Sequence, residues 1–296
     1  MSLTSENPVI DAALVQRLLA AQMPELSALP LTLLDPAGSD NVIFRLGDDL
    51  SVRLPRGDWA TGQPRKEFLW LPRLAPLLPV PVPTTVALGE PGEGYPWHWC
   101  VSRWLDGETP AIGGLADPDN TAVELAEFVK ALHRAPADES LVPGPHNNFI
   151  GAPLARRDPG TRRTIAAVAG VFDTGALTAV WDAAVAAPEW SGPPVWVHGD
   201  LHPGNLLTVD GRLSAVLDFG GLGVGDPACD LLIAWTLLPA PSREVFRAVL
   251  DVDDDTWTRG RGYALSTGLN AYSHYAATNP RVARATTHQI TEALAG

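Results

Sequence analysis

One short segment in the second half of the chain concentrates side chains that can perform chemistry. It reads His198-Gly-Asp-Leu-His-Pro-Gly-Asn205, and a further carboxylate, Asp218, follows in the run Asp218-Phe-Gly220. Phosphoryl transfer needs a carboxylate to orient the attacking hydroxyl and oxygen ligands that hold magnesium on the phosphates. Asp200, Asn205 and Asp218 supply that set of oxygen-bearing groups in a suitable order.

Two other interpretations of the same segment remain open at this point. Asp200 and Asp218 can simply cap turns, as surface aspartates often do. Alternatively, His198, Asp200 and His202 can gather around a zinc ion from one side of an extended strand. The zinc interpretation needs further histidines to complete the ligand shell, and the remaining histidines are scattered along the chain without ligand-like spacing.

A glycine-rich run offers a third interpretation. Gly223-Val-Gly225 follows a predicted strand, precedes a predicted helix and has Asp251 further along, as in a dinucleotide-binding fingerprint. Pro227 stiffens the turn, and no second βαβ unit follows it. The fingerprint also leaves the segment from His198 to Asn205 without a role.

Hydrophobic spacing predicts different secondary structure in the two halves of the chain. The first half has a helix within 8–22, strands at 31–34, 42–46 and 50–54, a helix at 65–74 and an aromatic strand within 95–105. The second half is helical, with a capping box at 121–124, except for strands at 195–197 and 213–217. Asp226-Pro227 is a favourable start for the next helix.

These motifs together resemble the aminoglycoside phosphotransferase family, a branch of the protein-kinase-like fold that also includes macrolide, choline and homoserine kinases. The resemblance rests on the spacing Asp-x-x-x-x-Asn from Asp200 to Asn205, on Asp218-Phe-Gly220 and on Gly225-Asp-Pro-Ala-Cys-Asp230. It implies an α+β fold of two lobes. We expect an antiparallel-sheet nucleotide-binding lobe over 1–104 and a mainly helical catalytic lobe over 105–296, with ATP or GTP and Mg²⁺ in the cleft.

The resemblance also assigns roles within the second lobe. It makes Asp200 the base or hydroxyl-positioning group, and Asn205 and Asp218 the magnesium ligands. Supporting roles fall to His198 and His202, which shape the loop. They also fall to Asp226 and Asp230, which cap the following helix and anchor the loop after the magnesium-binding aspartate.

In the first lobe, kinases of this fold pair a strand lysine with a glutamate on the next helix. The matching positions here carry Arg53 and Glu67, and an arginine keeps the positive charge while changing the geometry of phosphate binding. A surface ion pair of little consequence is the alternative. Ser39 lies in the expected phosphate-covering loop, and the backbone of Arg103 and Leu105 is expected to pair with the nucleobase.

The implied reaction is transfer of a γ-phosphoryl group to a hydroxyl of a small molecule such as an aminoglycoside-type antibiotic. A macrolide, choline, homoserine or sugar kinase is the alternative, as is a nucleotide-binding pseudokinase without catalysis. Asp251, Asp255 and Glu189 are candidates for binding the amines of such an acceptor. Acidic runs are also common on solvated faces and at helix ends.

Composition limits the partners. The formal net charge of −13 disfavours nucleic acid, and no apolar run is long enough for a membrane span. The two cysteines, Cys100 and Cys229, lie far apart in the sequence and suit reduced thiols. We therefore expect a cytoplasmic enzyme, a monomer or a weak homodimer, that acts on a small hydroxylated substrate.

Overall fold

The computed structural model describes residues 8–34 and 40–296. By the density of backbone contacts, the chain forms two compact units. The first comprises the chain up to Pro76 together with Pro81–Asp106, and the second comprises Leu77–Val80 and Gly107–Gly296. The predicted division at residues 104 and 105 assigns nucleotide binding to one lobe and catalysis to the other, and this assignment stays a prediction. Ser39 lies outside the described residues.

The first unit is an antiparallel sheet with two helices. The spatial order of its strands is β1-β2-β3-β5-β4. The helices are α1 (Ala12–Gln22) and α2 (Gln63–Leu74), and the strands are β1 (Leu31–Leu33), β2 (Asn41–Leu46), β3 (Leu50–Pro55), β4 (Thr85–Gly89) and β5 (Trp99–Arg103). Of these, β4 was not predicted from the sequence.

The two faces of this sheet differ in polarity because side chains alternate along each strand. Val52 and Val101 pack in an apolar core that also contains Leu14 and Leu18 of α1. Arg53 therefore projects from the other face. Ser51, two residues earlier, lies on the same half-buried face, so β3 has one apolar face against the core and one more polar face.

The second unit is mainly helical, with two small two-stranded sheets. Its helices are α3 (Pro118–Arg134), α4 (Asp158–Ala167), α5 (Thr174–Ala186), α6 (Ile233–Thr236), α7 (Ala240–Leu250), α8 (Asp254–Tyr275) and α9 (Pro280–Ala295). Its strands are β6 (Val195–Val197), β7 (Leu206–Val209), β8 (Arg212–Val216) and β9 (Gly223–Gly225).

Two sequence interpretations in this unit are wrong, and a third is confirmed. Helix α3 begins before the proposed capping box, because Asp117 accepts a hydrogen bond from the Asn120 N–H and Pro118 occupies the first turn. Asp226-Pro227 starts the next helical segment as predicted, and the first part of that segment, Pro227–Leu232, is a 3-10 helix. The dinucleotide fingerprint fails as well, since Gly223–Gly225 forms an antiparallel strand paired with β6 and not a parallel βαβ turn.

Within 8–34 and 40–296, no helix combines the length and the apolar composition that a bilayer span requires.

Candidate active site

The chemistry-bearing segment runs through two short β-structures. Strand β6 leads into it, the β7–β8 hairpin follows Asn205, and β9 then returns to pair with β6. The Leu217 N–H donates to the backbone oxygen of Asn205 at 2.8 Å. The Leu217 carbonyl accepts from His198 Nε2 at 2.9 Å. Both ends of the loop are therefore bonded to the residue that precedes Asp218.

Asp200 and Asn205 are hydrogen-bonded to each other. Asn205 Nδ2 donates to the backbone oxygen of Asp200 at 2.9 Å and to Asp200 Oδ2 at 3.2 Å. Because the nitrogen of the amide is engaged in this way, its oxygen is the atom that can bind a metal. Asp218 has a left-handed backbone with φ 57°, and its Oδ1 accepts from the Gly220 N–H at 3.1 Å.

The side-chain oxygens of Asn205 and Asp218 are suitable Mg²⁺ ligands in both chemical type and number. Mg²⁺ in phosphate-binding sites takes one or two protein oxygen ligands and completes its shell with phosphates and water. Asn205 offers an amide oxygen, and Asp218 offers a carboxylate. The pair matches that requirement without further protein ligands.

His198 supports the loop from inside and is fully buried. Its Nδ1 accepts from the Asp200 N–H at 3.2 Å, so its proton lies on Nε2 and is donated to Leu217. The ring also packs against Phe219, with centroids 4.6 Å apart. Both ring nitrogens are thus used by the backbone.

The zinc interpretation is therefore wrong. His198 has no lone pair left for a metal once its two nitrogens bond to the backbone. Across the part of the chain that the structure describes, no group of three or more histidine, cysteine or carboxylate side chains is arranged to hold a metal ion.

His202 adds a positive neighbour to Asp200. Its Nδ1 accepts from the Gly204 N–H at 3.0 Å, and its Nε2 lies 3.5 Å from Asp200 Oδ2. Crowding by protein atoms would by itself raise the pKa of Asp200, but the charge and hydrogen bond of His202, with smaller contributions from His198 and Asn205, hold this pKa below its ordinary value. The same crowding would lower the pKa of His202, whereas Asp200 and Asp218 raise it above the ordinary value.

Asp230 anchors the backbone just before Asp200. Its carboxylate is completely buried and accepts from the Gly199 N–H at 2.6 Å and from the His198 N–H at 3.2 Å. The sequence predicted that Asp230 anchors the loop after Asp218. Its hydrogen bonds instead hold the loop that precedes Asp200, which is a correction to that prediction.

Asp226 has the capping role predicted for it. Its Oδ1 accepts from the Ala228 N–H at 2.9 Å. It also forms a buried ion pair with Arg259 of α8, at 2.8 Å, and Arg259 donates further to the Pro188 carbonyl at 2.6 Å. Asp226 therefore ties the segment after β9 to α8.

Gly199 is required where the loop passes Ile150. Its φ is +78°, and a β-carbon there would stand 2.1 Å from the Ile150 side chain. Nearby, the Asp226 N–H donates to the Gly151 carbonyl at 2.9 Å. Sequence reasoning missed Ile150 and Arg259, because neither carries a local motif.

In the first unit, the predicted phosphate-binding pair forms. Arg53 of β3 and Glu67 of α2 make an ion pair in which the glutamate is buried and the arginine is mostly so. Arg53 lies opposite Cys100 in the β3–β5 register. Burial raises the pKa of the Cys100 thiol, which keeps it neutral beside this pair.

The predicted nucleobase contacts at Arg103 and Leu105 remain predictions. The Arg103 N–H already donates to the Thr84 carbonyl at 2.9 Å, so that group is engaged within the sheet. The neighbouring Trp104 N–H donates to the Asp49 carbonyl at 2.8 Å.

The three predicted acceptor-binding carboxylates lie elsewhere along the second unit. Asp251 ends α7 in a left-handed conformation, Asp255 lies in the first turn of α8, and Glu189 is exposed in the loop after α5. No hydrogen bond found among the described residues joins any of them to Asp200. Their assignment to the substrate also stays a prediction.

Comparison with known proteins agrees with this arrangement. A profile described as the phosphotransferase enzyme family (APH) matches residues 32–263. The chain belongs to this family, and it is a phosphotransferase of the protein-kinase-like fold, as the sequence predicted. No curated protein matches the sequence.

Solved structures share the fold along nearly the whole chain. The GDP complex of wild-type aminoglycoside 2'-phosphotransferase-IIIa has a TM-score of 0.72 at 20% identity, covering 97% of this chain and 99% of that one. The streptomycin-ATP-APH(2")-IIa ternary complex has a TM-score of 0.63 at 17% identity, covering 92% and 93%. Macrolide 2'-phosphotransferase MphH from Brachybacterium faecium has a TM-score of 0.59 at 25% identity, covering 95% and 98%.

Proposed function

We propose that the chain transfers the γ-phosphoryl group of ATP or GTP to a hydroxyl of a small molecule, with an aminoglycoside-type antibiotic or a related compound as acceptor. The observation that carries this proposal is the bonded arrangement of Asp200, Asn205 and Leu217-Asp218. The similar solved structures that are complexes with GDP or ATP support a nucleotide co-substrate.

Asp200 is the base in this proposal. Its pKa is held below the ordinary value, so the carboxylate is ionised at neutral pH and can accept the hydrogen bond of an acceptor hydroxyl. His202 and Asn205 restrict the carboxylate to one orientation. Such positioning is the main contribution that a protein makes to phosphoryl transfer.

Asn205 and Asp218 would hold Mg²⁺ in this reaction, and Mg²⁺ supplies neutralisation of charge on the phosphates. Arg53, oriented by Glu67, would bind phosphate oxygens, since a guanidinium holds phosphate bidentately. Ser39 and the backbone at Arg103 and Leu105 complete the proposed nucleotide site. His198, Asp226 and Asp230 maintain the loop around it.

A macrolide kinase is the second candidate. The match to macrolide 2'-phosphotransferase MphH has 25% identity, compared with 20% for the aminoglycoside enzyme. Choline, homoserine and sugar kinases remain further alternatives within the same chemistry. A pseudokinase is disfavoured, because Asp200, Asn205 and Asp218 are all present.

A panel of acceptors tests the function directly. Aminoglycosides, macrolides and metabolite alcohols are each incubated with protein, Mg²⁺ and ATP or GTP, and release of nucleoside diphosphate is measured. We expect one class to stimulate release in wild type and not in Asp200→Asn. Normal nucleotide binding without stimulation by any acceptor would support the pseudokinase instead.

The acceptor carboxylates can be tested in the same assay. If Asp251, Asp255 and Glu189 bind amines, neutralising each one raises the acceptor KM for amine-bearing substrates and leaves the nucleotide KM unchanged.

We also propose a cytoplasmic location, because the two buried cysteines fit a reducing compartment. The proposed assembly state is a monomer or a weak homodimer.

A further inference from the structure

His133 of α3 bonds to the buried carboxylate that anchors the loop before Asp200. His133 Nε2 lies 3.0 Å from Asp230 Oδ2, and its side chain is 14% exposed. Since an ionised carboxylate only accepts hydrogen bonds, Nε2 carries the proton. Helix α3, which is distant in sequence, is therefore connected to the loop before Asp200 by the hydrogen bonds of a single aspartate, Asp230.

The environment of Asp230 makes this bond important. Among the described residues, His133 is the only basic side chain within ion-pair distance of the carboxylate. A buried carboxylate needs hydrogen bonds or an opposite charge, because removal from water disfavours the ionised form. The two backbone N–H groups of His198 and Gly199 are its other donors.

The three hydrogen bonds to Asp230 are distributed unequally over its two carboxylate oxygens. Oδ1 accepts the short bond from Gly199, at 2.6 Å, whereas Oδ2 accepts from His198 at 3.2 Å and from His133 at 3.0 Å. Without His133, Oδ2 would keep only its longer bond. The carboxylate would then be free to rotate, and rotation would weaken its bonds to the residues just before Asp200.

We propose that His133 is a positioning residue for phosphoryl transfer, which acts through Asp230 on the backbone of His198 and Gly199 and so fixes Asp200. It does not touch the reacting atoms. Its removal therefore lowers the rate of transfer rather than the affinity for nucleotide or acceptor. This inference rests on the proposed role of Asp200.

The variants separate positioning from packing. His133→Leu keeps a large side chain but removes the donor. His133→Gln supplies an amide N–H near the position of Nε2 and is the conservative replacement. His288→Leu, in α9, is the matched control for loss of a histidine outside this network.

The first measurement is amide hydrogen exchange in the purified full chain, which requires no acceptor. In His133→Leu we expect faster exchange of the segment 195–201 that includes the His198 and Gly199 amides. His133→Gln restores protection in part, and His288→Leu leaves that segment at the wild-type rate. Unchanged exchange in His133→Leu overturns the inference, whatever the enzyme does.

The second measurement is kinetic. For an acceptor used by wild type, kcat of His133→Leu falls by about 10- to 100-fold, as expected for a misplaced catalytic group. The nucleotide and acceptor KM values stay within about twofold, and His133→Gln recovers part of kcat. An unchanged kcat in a folded His133→Leu protein contradicts the positioning role of His133. If the wild-type protein transfers phosphate to no acceptor, the proposed function is contradicted. The hydrogen-exchange result then decides by itself whether His133 holds the loop.

Discussion

Two acidic regions of the second unit show opposite ways of using aspartate. In the segment 198–218, the backbone is held by an aspartate distant in sequence, because Asp230 accepts from the Gly199 N–H. In the run Asp251–Asp255, the bonds are local. Asp253 accepts from the Thr256 N–H at 2.6 Å, and Asp254 pairs with Arg247 of the preceding helix.

The difference concerns what each carboxylate stabilises. A carboxylate at a helix start satisfies N–H groups of its own helix, and this explains Asp253 without any ligand. Asp200 caps no helix, and its Oδ2 accepts from Asn205 Nδ2 and lies 3.5 Å from His202 Nε2. A carboxylate that caps no helix and lies against other side chains of its own loop is therefore the better candidate for chemistry.

The strongest test of this contrast is Asp200→Asn. The amide keeps the size of the side chain and removes its basicity, so kcat should fall by roughly 10²- to 10⁴-fold. Nucleotide affinity should change little. Steady-state kinetics with the identified acceptor, together with a nucleotide titration, measure both quantities, and a kcat within threefold of wild type would exclude Asp200 as the base.

Asp218→Asn tests the second carboxylate of the segment. Because a metal ligand is weakened, we expect a loss of about 100-fold in kcat/KM at fixed Mg²⁺, with part of the loss recovered at higher Mg²⁺. Asp210→Asn is the matched control, since Asp210 also has a left-handed backbone but lies at the turn of the β7–β8 hairpin. Equal losses in both variants would contradict the metal role.

His202→Gln should shift the pH profile rather than abolish activity. Removing the positive neighbour raises the pKa of Asp200 toward or above its ordinary value, so the acidic limb of kcat/KM against pH moves to higher pH. The plateau at higher pH should change less. An acidic limb at the wild-type position would show that His202 does not set the ionisation of Asp200.

Asp253→Ala should affect stability alone, which makes it the smallest and most local effect. Loss of the cap of α8 costs about 1 kcal/mol of unfolding free energy at neutral pH, measured by denaturant titration. The hydrogen bond from the Thr256 N–H lowers the pKa of Asp253, so this contribution is present at neutral pH and is lost as the pH falls through the folded-state pKa. A loss of kcat beyond twofold would mean that the acidic run also serves the active site.

Much of the fold could be predicted from local patterns. The apolar alternation of β2 and β3 and the helical spacing of α1 and α2 appear in the sequence because each element must bury one face. The start of α3 was misplaced because Asp117-Pro118 provides a stronger start than the box at 121–124. Strand β4 was missed because it is short and follows a proline-rich connection.

The sequence by itself determined the catalytic residues as candidates, since the spacing of Asp200, Asn205 and Asp218 and the choice of oxygen-bearing side chains are visible along the chain. The tertiary structure alone decided which other groups hold them. His133, Ile150 and Arg259 have no local signature, because a hydrogen bond or a close contact across the fold depends on where distant elements pack. A pattern along the chain records only the constraints that neighbours in sequence impose on one another.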